Sequence, residues 1–287
     1  MRHTDENLFR LLNACPSEKL VISALSLLMM FGVLMPFLEY IRPLLVLTML
    51  GYASYKDLRT REINDILWLA FGALGLALDV YEVVTNSMPL LDLALPLIFM
   101  GLFALSSGYL GFFGGADLFA FIILGLLQPS TPRLVGSYMG FTPVFFPSTL
   151  ISNSIVVAAS ASILVLLENL SSKDRDSQFS GHEAEPVWRK LVLLISARRV
   201  NISEVRGPPF QYPLEYRDSE TNELKLQLRP DLDDGRAIKI IEDLRGLNRP
   251  KMWVSHTLPF LFALLVGYIV SVTFGDVILS VISRLLG

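Results

Sequence analysis

The stretch LLDLALPLIFMGLFALSSGYL, residues 90–110, is apolar over almost its whole length. Its one charged side chain is Asp92. A helix needs about 20 mostly apolar residues to cross the hydrocarbon core of a bilayer, and a buried helix of a water-soluble domain seldom contains an apolar run that long. The stretch therefore predicts a transmembrane helix.

Comparable apolar blocks lie on both sides of this stretch. They cover residues 20–38, 44–55, 66–81, 90–110, 116–127 and 144–167, with a last one after residue 253. The shorter blocks need snorkelling neighbours or local thinning of the bilayer. The predicted fold class is an all-α polytopic membrane bundle, with six core transmembrane helices and an additional N-terminal one.

A water-facing segment interrupts the apolar pattern. Residues 171–251 hold 15 of the 24 Lys and Arg residues and no apolar run of span length. Leu224, Leu226 and Leu228 alternate with polar residues, which predicts a strand paired with residues 210–212 in a hairpin, and residues 236–244 read as an amphipathic helix. We therefore expect a small α+β domain inserted before the last helix.

The basic residues of the connections predict the orientation, because Lys and Arg are retained on the cytoplasmic side. With the N-terminus inside, the loops on the opposite side carry only Arg42 and Arg133. The first 19 residues are polar, and no small-residue cleavage site follows them. The predicted organisation is a cytoplasmic segment over 1–19, a bundle over 20–167, a cytoplasmic domain over 168–253 and a final transmembrane helix over 254–287.

Composition gives no indication of several other classes of protein. The net charge of −3 does not favour a nucleic-acid partner. The single cysteine cannot form an internal disulfide, and the three histidines are scattered along the chain, so no metal site is predicted. We expect no cofactor. The sequence does not predict the oligomeric state.

Two aspartates fall at predicted helix ends on one side of the membrane. Asp57 ends the second span, and Asp117 follows Gly114, Gly115 and Ala116 at the start of a later one. Two predicted crossings separate the aspartates, which returns the chain to the same face. The number of crossings therefore brings Asp57 and Asp117 to similar depth, although they are 60 residues apart in sequence.

Two carboxyl groups that come close together share a proton, because ionising both is costly. One carboxylate can then take a proton from an attacking water while the other carboxyl group donates to the oxygen of the scissile carbonyl, which is the chemistry of an aspartic peptidase. Structural readings stay open at this point. Asp57 can be an interfacial charge, and Asp117 can be the cap of a membrane helix.

The strings DLRTREIN, residues 57–64, and FGGAD, residues 113–117, resemble the two signatures of type IV prepilin peptidases. The archaeal preflagellin and prepilin peptidase branch is the most similar, because its members also carry a cytoplasmic domain before the last helix. The string WVSHTLPF, residues 253–260, resembles that branch's entry into its final span. The similarity extends over residues 41–275.

The resemblance implies a membrane aspartic endopeptidase that removes short basic leaders from prepilin- or preflagellin-type precursors at the cytoplasmic face. It implies Asp57 and Asp117 as the catalytic pair, and Gly114, Gly115 and Ala116 as the active-site loop. Ala116 replaces the second glycine of the wider Gly-x-Gly-Asp pattern, which favours the archaeal branch. A single cysteine does not fit the methylation region of the bacterial bifunctional enzymes.

Three further residues are candidates for contacting substrate. Glu62 and Asp65 would suit a basic leader, and Tyr109 precedes the glycine turn, although each also reads as an ordinary interfacial residue. Lys56, Arg59 and Arg61 are expected to reach lipid headgroups. The alternative function is a proton-coupled transporter, since membrane carboxylates also relay protons. A non-catalytic assembly scaffold is a third reading.

Overall fold

The helices of the chain pack side by side, and a smaller part made of short strands and helices is inserted before the last two. A computed structural model describes residues 40–110, 113–132, 145–172, 177–218, 220–247, 250–255 and 259–286. The predicted N-terminal segment 1–19 and the predicted first span, residues 20–38, lie outside these residues.

Helices make up most of the described chain, and the strands are short. In chain order the elements are α1 (residues 40–60), α2 (Asp65–Val84), α3 (Leu90–Tyr109), α4 (Gly115–Leu127), α5 (Phe146–Leu170), α6 (Val187–Ser196), β1 (Ala197–Asn201), β2 (Glu215–Arg217), β3 (Leu224–Leu226), α7 (Asp234–Gly246), β4 (Lys251–Ser255), α8 (Phe260–Phe274) and α9 (Val277–Leu286).

Three helices, α2, α3 and α5, are each long and apolar enough to cross a membrane. The pair α8 and α9 meets the same criteria together, with a bend of 48° between them, and α4 is apolar but shorter. The described residues therefore contain three spans by length and composition, or four if the bent pair is one span. The mostly helical, apolar fold is as predicted, at this coarser level.

One face of α1 is buried in the helical core. Val46, Met49, Leu50 and Ala53 are fully buried and recur every three or four residues, which is the spacing of a single helical face. They join a core that includes Phe121 and the other buried residues of α4. This packing fixes the position of the last turn of α1.

Arg42 is buried inside the bundle, whereas the sequence placed it in a polar break and an external loop. The residue belongs to α1 and is only 4% exposed. Its guanidinium donates hydrogen bonds to Asp79, to Glu82 and to the main-chain carbonyls of Leu126 and Leu127. Burial is tolerated because every charge is paired and hydrogen-bonded. Residues 40–43 therefore belong to α1, whereas the sequence predicted that the polar break includes them.

The short helix α4 packs against α2, α3 and α8. Phe121 is fully buried on α4 and lies edge-on to Phe103, with the ring centroids 4.9 Å apart. Phe113 and Phe260 complete this aromatic group at centroid distances of 5.5 and 5.8 Å from Phe121. Helix α4 is therefore held firmly on several sides, with Asp117 in its first turn.

Helices α5 and α8 approach each other closely at Gly267. A Cβ atom on Gly267 would lie 2.2 Å from Ser154 Oγ and 2.7 Å from Ser154 Cα. Small residues at such a crossing let two helix backbones come into contact, as is common between membrane helices. The contact joins the last helix before the inserted part to the first helix after it.

The last apolar segment is two helices, whereas the sequence predicted a single one over 254–287. The break falls at Gly275, which has a φ of 78°, and at Asp276. The Asn153 side chain donates to the Gly275 carbonyl at 2.8 Å and accepts from the Val277 amide at 3.2 Å. These bonds replace main-chain hydrogen bonds that the break removes, which is needed in an apolar environment.

The inserted part contains two short antiparallel sheets. In one, β1 pairs with β4 from Ala197 opposite Ser255 to Asn201 opposite Lys251, and in the other β2 pairs with β3. The predicted strand is present as β3 over Leu224–Leu226 and stops before Leu228, and its partner is β2, not residues 210–212. The main chain of Tyr212 bonds to Ser255 instead, at the edge of the other sheet. The predicted amphipathic helix is confirmed as α7.

The predicted boundary between residues 253 and 254 falls inside β4. Trp253 is buried within the inserted part, where its ring stacks on Phe179 at a centroid distance of 5.3 Å. Its main-chain N–H donates to Glu215 Oε1, and the other oxygen of Glu215 lies 2.6 Å from Nε2 of the buried His182. The apolar character of this stretch comes from burial in the inserted part, and α8 begins only at Phe260.

Candidate active site

Asp57 lies in the last turn of α1, where the helix stops. Arg61 has a φ of 58°, a left-handed conformation that ends the helix, and its Nη1 lies 3.5 Å from Asp57 Oδ1. Both side chains are mostly buried, with 15% of Asp57 and 19% of Arg61 exposed. Asn64 then caps α2 by accepting a hydrogen bond from the Ile66 amide. The end of α1 is thus a tight turn with a partly buried carboxylate.

Asp117 lies in the first turn of α4. Its Oδ2 accepts a hydrogen bond from the Gly114 amide at 3.1 Å, and its own amide donates to the Gly114 carbonyl at 3.1 Å. The residue therefore contributes to the cap of α4, as its position in the sequence allowed. Among the described residues, Oδ1 of Asp117 accepts no hydrogen bond, so one oxygen is left for another partner.

The two carboxyl groups belong to different helices, but their charges are near enough to interact. The charges of Asp57 and of Arg61 both act on the Asp117 carboxyl group. The end of α1 and the start of α4 are therefore near enough for these charges to interact. The candidate site therefore contains two carboxyl groups, Asp57 and Asp117, and one guanidinium group, Arg61.

The glycine turn leads directly into the helix that carries Asp117. Gly114 is the N-cap of α4 with an extended backbone, and Gly115 is its first residue. A Cβ atom on Gly115 would meet no atom within 4 Å, so the space beside it is open. Ala116 is partly buried and packs against the helical core. The glycine beside the carboxyl group is Gly114, where a Cβ atom would lie 3.7 Å from Asp117 Oδ2.

The three other predicted site residues are exposed. Glu62 lies in the turn after α1 and Asp65 in the first turn of α2, so both are close in sequence to Asp57. Neither takes part in an ion pair among the described residues. Tyr109, at the end of α3, is 93% exposed. No described contact links these three side chains to Asp57 or Asp117.

Arg61 is a residue of this site that the sequence reading assigned elsewhere. We expected it to reach lipid headgroups, but it pairs with Asp57 across one helical turn. The separation of four residues between an acidic and a basic side chain was the available signal, because such residues are neighbours on a helix. The described residues contain no group of three or more His, Cys, Asp or Glu side chains suited to a metal ion.

The helical bundle and the inserted part each match a known protein family. Residues 44–167 match the type IV leader peptidase family, and residues 189–277 match the family described as Archaeal Peptidase A24 C-terminus Type II. The first match contains α1 to α5 with Asp57 and Asp117, and the second contains most of the inserted part and α8.

Two curated relatives align over most of their length. A preflagellin peptidase of Methanococcus voltae is 24% identical over 248 residues, which cover 80% of this chain and 93% of the relative. A preflagellin peptidase of Methanococcus maripaludis is 23% identical over 240 residues, which cover 79% and 92%. Since two family matches and two relatives agree, this chain is a peptidase of the archaeal branch of the type IV leader peptidase family.

Proposed function

We propose that this multi-pass membrane protein is an aspartic endopeptidase that removes short basic leaders from preflagellin- or prepilin-type precursors. In this proposal, α1 and α4 complete a six-span core with α2, α3, α5 and the bent pair of α8 and α9. The end of α1, the start of α4 and the inserted domain lie on the cytoplasmic side. The curated relatives are named preflagellin peptidases, which supports this class of substrate.

The observation that carries the proposal is the position of two aspartates, one in the last turn of α1 and the other in the first turn of α4, whose charges are near enough to interact. Asp57 ends α1, Asp117 opens α4, and the charge of one acts on the other. Two carboxyl groups that lie close together tend to share a single proton. That state supplies a general base and a general acid at once.

The proposed reaction is the hydrolysis of one peptide bond by water. The ionised aspartate takes a proton from the water as its oxygen attacks the scissile carbonyl, and the protonated aspartate donates to the carbonyl oxygen. Collapse of the tetrahedral intermediate breaks the C–N bond. The leaving amine takes the proton that the first aspartate removed from water, and a hydroxyl of the intermediate returns a proton to the second aspartate as the new carboxyl group forms. Oδ1 of Asp117, which accepts no hydrogen bond from the described residues, and the open space beside Gly115 are suited to an extended peptide segment.

The exposed carboxylates of Glu62 and Asp65 support the choice of a basic leader. They follow the end of α1 and have no described cationic partner, so they can attract Lys and Arg side chains of a leader. A proton-coupled transporter was the alternative for the same pair of aspartates. No feature of the described residues favours it over a peptidase.

The test is leader removal from a precursor carrying a C-terminal tag, co-expressed with the full chain and followed by its shift on a gel. Asp57→Asn and Asp117→Asn are expected to abolish the shift, since asparagine cannot exchange a proton. Asn at position 117 remains a good helix cap, so loss of cleavage would not follow from loss of the cap. Processing at the normal rate by Asp117→Asn would overturn the proposal.

The matched control is Asp92→Asn. Asp92 is an exposed carboxylate in the first turn of α3, as Asp117 lies in the first turn of α4. Processing is expected to continue at the normal rate in this variant. Loss of processing in Asp92→Asn as well would mean that the assay reports general damage by Asp→Asn changes.

A further inference from the structure

A cavity of about 410 Å³ lies between the end of α1 and the inserted domain. Its volume is in the range of small-molecule sites, roughly 300–1,000 Å³. Three arginines line it, together with apolar side chains. The lining includes Arg61, Arg198, Arg206, Leu58, Phe210 and Pro259.

The arginines give the cavity its chemical character. Arg61 pairs with Asp57 at 3.5 Å, and Arg198 pairs with Glu168 at 2.7 Å. Arg206 has no carboxylate partner among the described residues. Guanidinium groups present several N–H donors in a plane, a geometry that matches the oxygens of a phosphate group. An uncompensated arginine beside two others therefore favours an anion with several oxygens.

The position of the cavity relates it to the membrane surface. Leu58 belongs to the last turn of α1, and Pro259 is the N-cap of α8. Glu168, the partner of Arg198, lies two residues before the end of α5. Three apolar helices thus end or begin around the cavity. In a bilayer this is the level of the headgroups, where lipid phosphates are concentrated.

Basic leaders are poor candidates for this cavity, because Arg206 leaves it with a net positive charge even after Arg61 and Arg198 are paired. The apolar part of the lining, formed by Leu58, Phe210 and Pro259, favours a ligand with both a charged and an apolar portion. Exposed Leu58 also lies next to the surface of the bundle. A lipid with an anionic phosphate headgroup combines these properties.

We propose that this cavity is a binding site for a phosphate group, supplied by an anionic lipid headgroup, with Arg198 and Arg206 as the residues that hold it. Arg61, which also pairs with Asp57, contributes its charge to the lining. The site differs from the proposed peptidase site in ligand and in the residues that carry it. It does not depend on whether the chain removes leaders.

The experiment uses the purified full chain in a neutral detergent, without any precursor. Native mass spectrometry measures the retention of short-chain phosphatidylglycerol and, separately, of short-chain phosphatidylcholine. Preferential retention of phosphatidylglycerol is expected. The variant Arg198→Gln/Arg206→Gln is expected to bind it about tenfold more weakly or worse, since two charge-assisted contacts are lost.

The control is Arg229→Gln/Arg245→Gln, which removes two exposed arginines of the inserted domain that do not line the cavity. Both double variants lose the same net charge, so an equal loss of lipid from both would overturn the proposal. The single variant Arg206→Gln changes an exposed side chain. If the double variant fails to purify as a monodisperse protein, Arg206→Gln is tested in its place. An unchanged affinity of Arg206→Gln for phosphatidylglycerol would then count against the site.

Two competition experiments distinguish a lipid phosphate from free phosphate and from an acidic peptide. Inorganic phosphate is expected to displace phosphatidylglycerol only at much higher concentration than the short-chain lipid itself. Displacement at equal concentration would overturn the lipid assignment in favour of a free phosphate. Tighter binding of a Glu-rich peptide than of phosphatidylglycerol would overturn it in favour of an acidic protein segment.

Discussion

Arg42 and Glu82 are joined by two parallel hydrogen bonds deep in the bundle. Arg42 Nε lies 3.1 Å from Glu82 Oε1, and Nη2 lies 3.0 Å from Oε2. The same Nη2 lies 2.8 Å from Asp79 Oδ1. Since α1 supplies the arginine and α2 supplies both carboxylates, the cluster ties these two helices together.

Removal of this arginine is expected to destabilise the bundle strongly. Arg42→Gln leaves two buried carboxylates without a cation, and breaking a buried pair in this way costs about 3–5 kcal/mol. Unfolding of the purified chain in mixed micelles of increasing denaturing detergent measures the loss. Arg59→Gln is the control, because Arg59 is exposed and contacts only the Tyr55 ring in the described ion-pair and cation–π contacts. Equal stability of the two variants would contradict the role given to Arg42.

The proposed catalytic pair predicts non-additive losses. Asp57→Asn and Asp117→Asn should each lower kcat/KM by about 10³-fold or more, because each removes a proton-transfer group. The double variant should be within about tenfold of either single one, since groups that act as a unit cannot be lost twice. Kinetics with a purified precursor measure this. Losses that multiply in the double variant would mean that the aspartates act independently.

Arg61 is expected to position Asp57. Arg61→Gln removes the ion pair at the end of α1, so the carboxylate samples more orientations, and kcat should fall about 10-fold to 100-fold with little change in KM. Arg61→Lys keeps the charge and should recover part of kcat. A rise in KM with unchanged kcat would assign Arg61 to substrate binding instead.

The contact between α5 and α8 predicts a different cost for two Gly→Ala changes. In Gly267→Ala the new methyl group would meet the backbone of Ser154, so the helices must separate, at a cost of about 1–3 kcal/mol or more. In Gly101→Ala the methyl group meets no atom within 4 Å, and a slight gain in helix stability is expected. Thermal unfolding in detergent compares the two, and equal midpoints would contradict the close approach.

The hairpin of the inserted part predicts a pH dependence. A hydrogen bond from Lys225, helped by the amides of Thr221 and Glu220, lowers the pKa of Asp218 to about 2. Because the pKa is below its ordinary value, near 4, the stabilisation is complete above pH ~4 and is lost as the pH falls through about 2. Carboxyl titration by NMR measures the midpoint, which should rise toward 4 in Lys225→Met. A midpoint near 4 in the unchanged chain would contradict this.

The apolar helices could be predicted because their signal is local. A span must be apolar over many consecutive residues, which identifies α2, α3 and α5. The burial of Arg42 could not be predicted, because its partners Asp79 and Glu82 lie 37 and 40 residues away. The order of helices alone does not reveal such a cluster.

The end of the inserted part shows a second limit. Trp253 and Val254 read as the start of a span because both are large and apolar. A short strand buried on both faces has the same composition as the edge of a membrane helix. Only the pairing of β4 with β1 distinguishes the two structures, and that pairing joins residues that are 50 or more positions apart.

The inserted part leaves the bundle and returns to it at nearly the same place. The Asn169 side chain, at the end of α5, donates to the Ala197 carbonyl, and Ala197 is paired with Ser255 shortly before α8. A segment whose two ends meet can be lengthened, shortened or exchanged during evolution without separating the helices on either side. The inserted part can therefore vary in size while the contact between Ser154 and Gly267 holds the flanking helices together.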